Sequence, residues 1–381
     1  MSLAIITGSL TPYTSRVYDA YAACHSEDLH VYTCARIEPH RAWSIEPPSH
    51  FQLVVLPGLR WHRDYVRHLY VNPIVLPRLT RLTRLRPEVI AVAAFSPTMA
   101  MAVQFARSTG TPFGIATDGT LATDPGEQSL PHRLMRRAMV PGASFGMCAS
   151  EASVALLERW GLEKGRGVVV PIVPAWDAPA TIVADCDRPF DILYAGGLDD
   201  RYKGVLFFAE VVEALARSGR RLRVRVAGDG PERKGLESRF STAGVAAHFD
   251  GSVQPSAMVE VLSSARVLLF PSRQDAWGLV ANEAVMCGTP VLGSPHATSS
   301  EHFVERFGVG LVRPLEVEAW CDATLDMLSS PARWQSFMAR RDEAMAWFSL
   351  DASVAALHRA FELDRAGRVR PTTPAARSAT G

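Results

Sequence analysis

Val267-Leu-Leu-Phe-Pro-Ser-Arg-Gln-Asp-Ala-Trp-Gly-Leu-Val-Ala-Asn-Glu-Ala284, continuing to Cys287-Gly-Thr-Pro-Val291, decides how the chain is read. Val267–Phe270 is a short apolar run without polar alternation, as in a strand covered on both faces. Pro271 and Gly278 mark a loop, and a helix is expected from about Trp277–Leu279 onward. Pro290–Gly293 is a second apolar run. A strand, a helix and a strand in that order form a crossover unit, which builds a parallel sheet.

The same alternation extends through the chain. Strands are expected at Leu3–Thr7, Gln52–Leu56, Val89–Phe95, Phe113–Thr117, Gly146–Ala149 and Val168–Pro171, and again at Asp191–Ala195, Arg223–Ala227, His248–Asp250, Val267–Phe270, Pro290–Gly293 and Gly310–Val312. Amphipathic stretches such as Val205–Ala216 lie between them. Between the two series, Pro171–Pro189 also contains Pro174 and Pro179 and lacks periodicity, as an interdomain linker would. The expected organisation is α/β: a Rossmann-like doubly wound domain at 1–171, a linker at 172–189 and a second such domain at 190–345. A helix at 346–366 and a disordered tail at 367–381, rich in Pro, Thr, Ala and Arg, complete it.

Composition narrows the function. With 40 basic and 39 acidic residues in 381, the formal charge is +1, so no overall field favours nucleic acid. The six cysteines are scattered without a C-x-x-C pair, against a disulfide framework or a structural zinc and in keeping with a reducing cytoplasm. The amino terminus reads as a strand, without the basic region of a signal peptide, and no stretch is long and apolar enough to span a membrane. The histidines form no H-E-x-x-H or Cys/His cluster, and no P-loop or G-x-S-x-G motif is present.

Chemistry-bearing residues gather in the second half, near the ends of the expected parallel strands where open α/β sheets bind ligands. Tyr194-Ala-Gly-Gly-Leu-Asp-Asp-Arg-Tyr-Lys-Gly204 is a strand followed by a glycine turn at Gly196 and Gly197, with Arg201 and Lys203 beyond it. Val226-Ala-Gly-Asp-Gly-Pro-Glu-Arg233 repeats the pattern at Gly228, and Phe249-Asp-Gly-Ser-Val253 is a third strand end. Singly, each has an ordinary reading: Gly228-Asp-Gly230 is a common turn, and Lys203 fits a solvated charge at a helix start. Glu283 in an apolar helix is less ordinary, because a buried carboxylate needs a partner.

Together, the segments over about 190–315 resemble the donor-binding half of retaining glycosyltransferases of family 4, which have the GT-B fold of two Rossmann-like domains facing a cleft. The family's E-x7-E pattern is matched by Pro271-Ser272, Asp275, Gly278-Leu279-Val280, Glu283-Ala284, Gly288 and Pro290-Val291. Trp277-Gly-Leu-Val-Ala-Asn-Glu283 further resembles a branch that makes bacterial surface polysaccharides. Before that half the similarity is diffuse, with Ala149-Ser-Glu-Ala152 and Val169-Val-Pro171 as echoes. The resemblance implies that a nucleotide-diphosphate sugar is the co-substrate and that the reaction is metal-independent, without a resident cofactor. It implies that Glu283 holds the ribose hydroxyls and that Asp275 lies beside the donor sugar. Lys203, with Arg201, and the backbone of Trp277, Gly278, Leu279 and Val280 would stabilise the departing diphosphate, a task that asks for cations and oriented N–H groups. Gly196, Gly197, Gly228 and Val253 would complete the donor site. Three positions depart from the family: Gly197 stands where an arginine is usual, Asp275 replaces a glutamate, and Asp118 replaces a histidine. Asp118, in Thr117-Asp-Gly-Thr120, either bonds a sugar or the acceptor, or caps a turn.

In the first half, the loop containing Gly8, Ser9, Thr14 and Ser15 follows the first strand and should face the cleft. It lacks the G-x-G-x-x-G of a dinucleotide site. Arg60–Arg86 carries seven arginines against Asp64 alone, and Arg78, Arg81 and Arg84 alternate with leucines. This segment reads either as a solvated helix face or as a surface resting on anionic membrane lipid, and Arg133, Arg136 and Arg137 add a second basic cluster. The expected function is transfer of a sugar, with retention, to a glycan or lipid-linked acceptor in exopolysaccharide or lipopolysaccharide synthesis, at the inner face of the cell membrane. A nucleotide-sugar epimerase or a non-catalytic nucleotide-binding subunit are the alternatives.

Overall fold

The computed structural model describes residues 2–36, 45–62, 68–72 and 87–367. Among these, two parallel sheets face each other, as the repeated crossover units required. The first contains β1 (Ser2–Ser9), β2 (Asp28–Ala35), β3 (Gln52–Val55), β6 (Val89–Ala93), β7 (Phe113–Thr117), β8 (Phe145–Cys148) and β9 (Gly167–Val169). Its spatial order is β3-β2-β1-β6-β7-β8-β9. The order reverses at β1, which is the switch point where such sheets open a crevice at their carboxyl ends. An antiparallel ribbon, β4 (Leu59–His62) with β5 (His68–Val71), follows β3. The second sheet has the order β12-β11-β10-β13-β14-β15, from β10 (Phe190–Ala195), β11 (Arg223–Ala227), β12 (Ala246–Gly251), β13 (Ala265–Phe270), β14 (Val291–Gly293) and β15 (Gly310–Val312).

Both faces of each sheet are covered, which is why the strands lack alternation. In the first domain, helix α1 (Pro12–Cys24) covers one face, while α2 (Pro97–Thr109), α3 (Leu130–Met139) and α4 (Glu151–Arg159) lie on the other. In the second, Ile192, Val224, Val226 and Leu269 pack toward Phe208, Leu215 and Trp320, while Leu193, Leu268 and Phe270 pack toward Ala281, Val285 and Phe303.

Three strands, β2 and the pair β4–β5, have no counterpart in the sequence-based expectation. Strand β2 carries His30 and Thr33 in a buried position, where the Thr33 hydroxyl bonds Ala35 O at 2.7 Å and His30 bonds Asp28 at 2.9 Å. The β4–β5 ribbon is fixed beneath by Thr98, whose hydroxyl bonds Tyr70 O at 3.0 Å and accepts from Asn72 N at 3.1 Å.

After β15 the chain returns. A helix at Leu350–Gly367 packs on α1, β8 and β9 of the first domain, with Phe361 5.6 Å from the rings of both Tyr21 and Phe145. Ser353 Oγ donates to Pro171 O at 2.7 Å. At the other end of the connection, the buried Arg188 donates to the carbonyls of Val183, Ala265 and Cys287 and to Thr289 Oγ1, seating the connecting segment on the second domain. Of the basic segment Arg60–Arg86, only 60–62 and 68–72 are described, and Arg78, Arg81 and Arg84 lie outside the described residues, as does the tail from 368 onward. Among the described residues no helix is long and apolar enough to cross a membrane.

Candidate active site

The carboxyl ends of β10, β11 and β13 converge at the cleft. After β10, Gly196 N donates to Ala227 O at 2.9 Å and Leu198 N to Asp229 O at 2.9 Å, so the Gly196–Gly197 and Gly228 turns lie side by side. Gly197 faces open space where a Cβ would stand. Packing therefore does not forbid a side chain at this position. Val253, past the end of β12, is half-buried against the core.

Lys203 sits on the short helix Asp200–Lys203, whose first turn is capped by Asp199. Its Nζ lies 2.5 Å from Asp275 Oδ2, a pair joining residues 72 positions apart. Two features hold this pair. Gly204 has φ +62°, and a Cβ there would stand 2.0 Å from Pro271 O, so only glycine lets the two loops touch. Arg273 N and Gln274 N both donate to Tyr202 O, at 2.8 and 3.2 Å. Asp275 is itself braced by its N–H on His296 O at 3.1 Å and its carbonyl on Thr298 N at 3.3 Å. Arg201 is directed elsewhere: its guanidinium grips Asp199 through two bonds of 3.0 and 2.6 Å.

Beyond Asp275 the chain turns at Gly278, where φ is +90° and a Cβ would stand 2.4 Å from the Phe270 ring. Trp277 is buried, donates from its indole to Asn282 Oδ1 at 3.0 Å and stacks on Trp347 with centroids 5.9 Å apart. Leu279 and Val280 open the helix Val280–Met286. Glu283 lies on this helix, and none of the described residues hydrogen-bonds its carboxylate. The residue is half-buried, and desolvation by the surrounding protein pushes its carboxyl up to about 8.

Across the cleft, Asp118 stands in the turn that ends β7. Gly119 N donates to Thr117 Oγ1 at 3.1 Å, and Ser153 Oγ donates to the Asp118 carbonyl at 3.2 Å. The Asp118 side chain reaches cleft water but is crowded by protein, and its pKa is raised, first by desolvation and then by the charge of Asp275. The two domains thus bring two carboxylates to bear on one space. A cavity of about 350 Å³ also opens between the domains, lined by neither carboxylate but by residues that flank them in sequence. Thr120, Leu121 and Thr123 line it from the first domain, and Arg273, Gln274, His296, Thr298, Glu301 and His302 from the second. None of these lining residues stood out in the sequence. Thr120, which closes the Thr117–Thr120 turn, and Arg273 and Gln274, between Ser272 and Asp275, had a signal beside them.

The first loop serves the fold at several of its positions. Thr14 completes a capping box with Thr11, its Oγ1 accepting from Thr11 N at 3.1 Å, and Ser15 is buried in α1. Gly8 O accepts from Thr33 Oγ1 at 3.4 Å, and Ser9 O accepts from Thr7 Oγ1 at 3.1 Å. Ion pairs also cross between domains: Glu151, at the start of α4, lies 3.7 Å from His302 and 3.5 Å from Arg306.

Residues 189–330 match the family model described as "Glycosyl transferases group 1". A GDP-mannose-dependent alpha-(1-6)-phosphatidylinositol dimannoside mannosyltransferase of Mycobacterium tuberculosis is 31% identical over 149 residues, which are 39% of this chain and 38% of the relative. The chain therefore aligns with well under half of that relative's length. Among solved structures, the apo lipopolysaccharide outer core galactosyltransferase WaaB is similar with a TM-score of 0.71 at 13% identity, over 95% of this chain and 99% of that one. Anabaena HepE in complex with UDP-glucose is similar with a TM-score of 0.70 at 16% identity, over 96% of this chain and 100% of that one.

Proposed function

We propose that this chain, whose residues 189–330 form a group 1 glycosyltransferase domain within a GT-B fold, moves a sugar from a nucleotide-diphosphate donor to a glycan or lipid-linked acceptor with retention of configuration. The observation that carries the reading is the arrangement on one wall of the cleft. There a cation, Lys203, is paired with Asp275, and a half-buried, desolvated carboxylate, Glu283, has no hydrogen-bond partner among the described residues. A desolvated carboxylate of this kind is costly unless a ligand completes it. Two ribose hydroxyls are the groups a carboxylate at this place would accept from.

In this reading Lys203 turns from Asp275 toward the diphosphate and stabilises the charge it gains on departure. The opening N–H groups of the Val280–Met286 helix, at Gly278, Leu279 and Val280 beside Trp277, add donors to the same oxygens. Gly196, Gly197 and Gly228 let the backbone approach the phosphates, and Arg201 reaches them only by leaving Asp199. Val253 lines the way to the base. Asp275 accepts from hydroxyls of the donor sugar. Asp118, its pKa raised by crowding protein and by Asp275, hydrogen-bonds the sugar or the acceptor. The Gly8–Ser9 turn, with Thr14 and Ser15 behind it, borders the acceptor side. The M. tuberculosis relative is named for a lipid acceptor and WaaB for lipopolysaccharide, which supports surface-glycan synthesis at the membrane. HepE was solved with UDP-glucose, which supports a nucleotide-sugar donor. The reaction requires no metal in this scheme.

The test is a panel of nucleotide-sugars screened for thermal stabilisation, followed by transfer with glycan and lipid-linked acceptors in the presence of EDTA. The product's anomeric configuration is read by NMR. Inversion overturns retention, and loss of activity in EDTA overturns metal independence. An epimerised donor without acceptor makes the chain an epimerase. Binding with neither transfer nor donor hydrolysis makes it a binding subunit.

A further inference from the structure

Helix α3 turns one face away from the protein. Leu130 and Leu134, one turn apart, are 64% and 55% exposed, and Leu121 in the preceding loop is 50% exposed. Large apolar side chains grouped on one exposed element mark a contact surface. Arg133 and Arg137 form the neighbouring stripe, three residues after each leucine. The helix contains no acid. Its third arginine, Arg136, is buried and spent internally: it grips Asp124 through bonds of 2.9 and 2.5 Å and covers the Phe95 ring at 4.3 Å. That anchor fixes which side of the helix faces out. Beside α3 lies a hollow of about 370 Å³ lined by Arg133, Arg137, Arg159, Trp160, Glu127 and Glu158. Glu127 is already neutralised by Arg159 at 2.9 Å, so the rim nearest the leucines keeps a positive balance.

We infer that the outer face of α3 docks on an anionic lipid surface, with Leu130 and Leu134 entering the acyl boundary and Arg133 and Arg137 meeting headgroup phosphates. Charge complementarity selects this occupant: leucines flanked by Arg133 and Arg137, with Glu127 paired to Arg159 and Glu158 the other acid of the rim, suit a negative apolar-backed surface. Leu121, exposed in the loop that precedes the helix, also lines the cavity between the domains. A lipid-borne group lying on α3 would reach the cavity past Leu121, whereas the docking itself needs no donor and no reaction.

The full chain is sedimented with vesicles of phosphatidylcholine containing phosphatidylglycerol, and with phosphatidylcholine alone. Wild type binds the anionic vesicles, and high salt releases it. Arg133→Gln/Arg137→Gln weakens binding about thirtyfold, the effect of two charges near such a surface. Leu130→Ser/Leu134→Ser abolishes binding at every lipid ratio that saturates wild type. Nucleoside-diphosphate binding stays at wild-type values in both variants, because none of the four side chains lines the cavity between the domains. The glutamine variant melts slightly earlier, because Arg133 also donates to the carbonyls of Gly126 and Glu127, at 3.4 and 2.6 Å. If the serine variant fails to fold, the glutamine variant decides alone. Absence of wild-type binding, wild-type binding by the folded variants, or equal binding to neutral vesicles overturns the inference. So does a wild-type dimer that the variants convert to monomer without any change at the vesicle.

Discussion

Glu283→Gln tests whether the unpartnered carboxylate governs both stability and donor binding. In the folded protein its carboxyl is raised from 4.5 to about 8 by desolvation. Between those values the folded chain holds a proton that the unfolded chain has lost, so raising the pH favours unfolding. The stability this proton contributes is complete below the unfolded value and is lost as the pH rises through about 8. One proton taken up on folding gives a slope of about 1.4 kcal/mol per pH unit. Glutamine cannot titrate, so the difference in stability between wild type and variant should fall by about that slope between pH 6 and 7. Urea unfolding of the unliganded proteins at several pH values measures the difference. Donor binding should run the other way. Ribose hydroxyls donate to the ionised carboxylate and favour it, so wild-type affinity for a nucleoside diphosphate should rise with pH by up to about tenfold per unit, and level off above about 8. The variant should bind more weakly above that point, without the pH dependence. Parallel stability curves for the two proteins would refute the burial argument. A normal pH-dependent affinity in the glutamine variant would refute the contact with ribose.

Lys203→Ala should weaken nucleoside-diphosphate binding by about tenfold or more and leave nucleoside binding nearly unchanged, since charged hydrogen bonds contribute about 1.5–3 kcal/mol; equal losses in calorimetry would make the lysine a loop support. Arg201→Ala should cost less than Lys203→Ala, because Arg201 must first leave Asp199, and the reverse order would assign it the principal phosphate contact. Asp275→Ala should abolish transfer while sparing free-nucleotide binding, and undiminished transfer would remove this residue from donor chemistry. Arg136→Met strands Asp124 in a buried site and should destabilise the first domain by about 3–5 kcal/mol in urea unfolding, whereas a loss below about 1 kcal/mol would show that the pair is solvated.

The parallel sheets were legible because most strands are short unbroken apolar runs, and burial on both faces makes such runs easy to find. Strand β2 was not, because His30 and Thr33 interrupt the run. Their polar atoms are satisfied by Asp28 and by a backbone carbonyl, so the structure absorbs a polarity that the pattern counts against a strand. The β4–β5 ribbon escaped for another reason. It is held by Thr98, 26 positions beyond Asn72 at the ribbon's end, and no local pattern encodes that contact.

For the site, the division falls between what one sheet brings together and what two domains bring together. Lys203, Asp275 and Glu283 follow strands of a single sheet, so their order along the chain already placed them at one edge. Arg273, Thr298 and His302 gain meaning only because Thr120 and Thr123 stand opposite them, and that juxtaposition depends on how the domains meet. Asp118 shows the consequence for chemistry. By itself it is an aspartate in a turn, and its backbone carbonyl does serve the fold through Ser153. Its side chain acquires a raised pKa because protein crowds it and Asp275 repels its ionisation from the other domain. Opening the cleft would remove the part that Asp275 contributes, so the environment of Asp118 depends on how the two halves of the site meet.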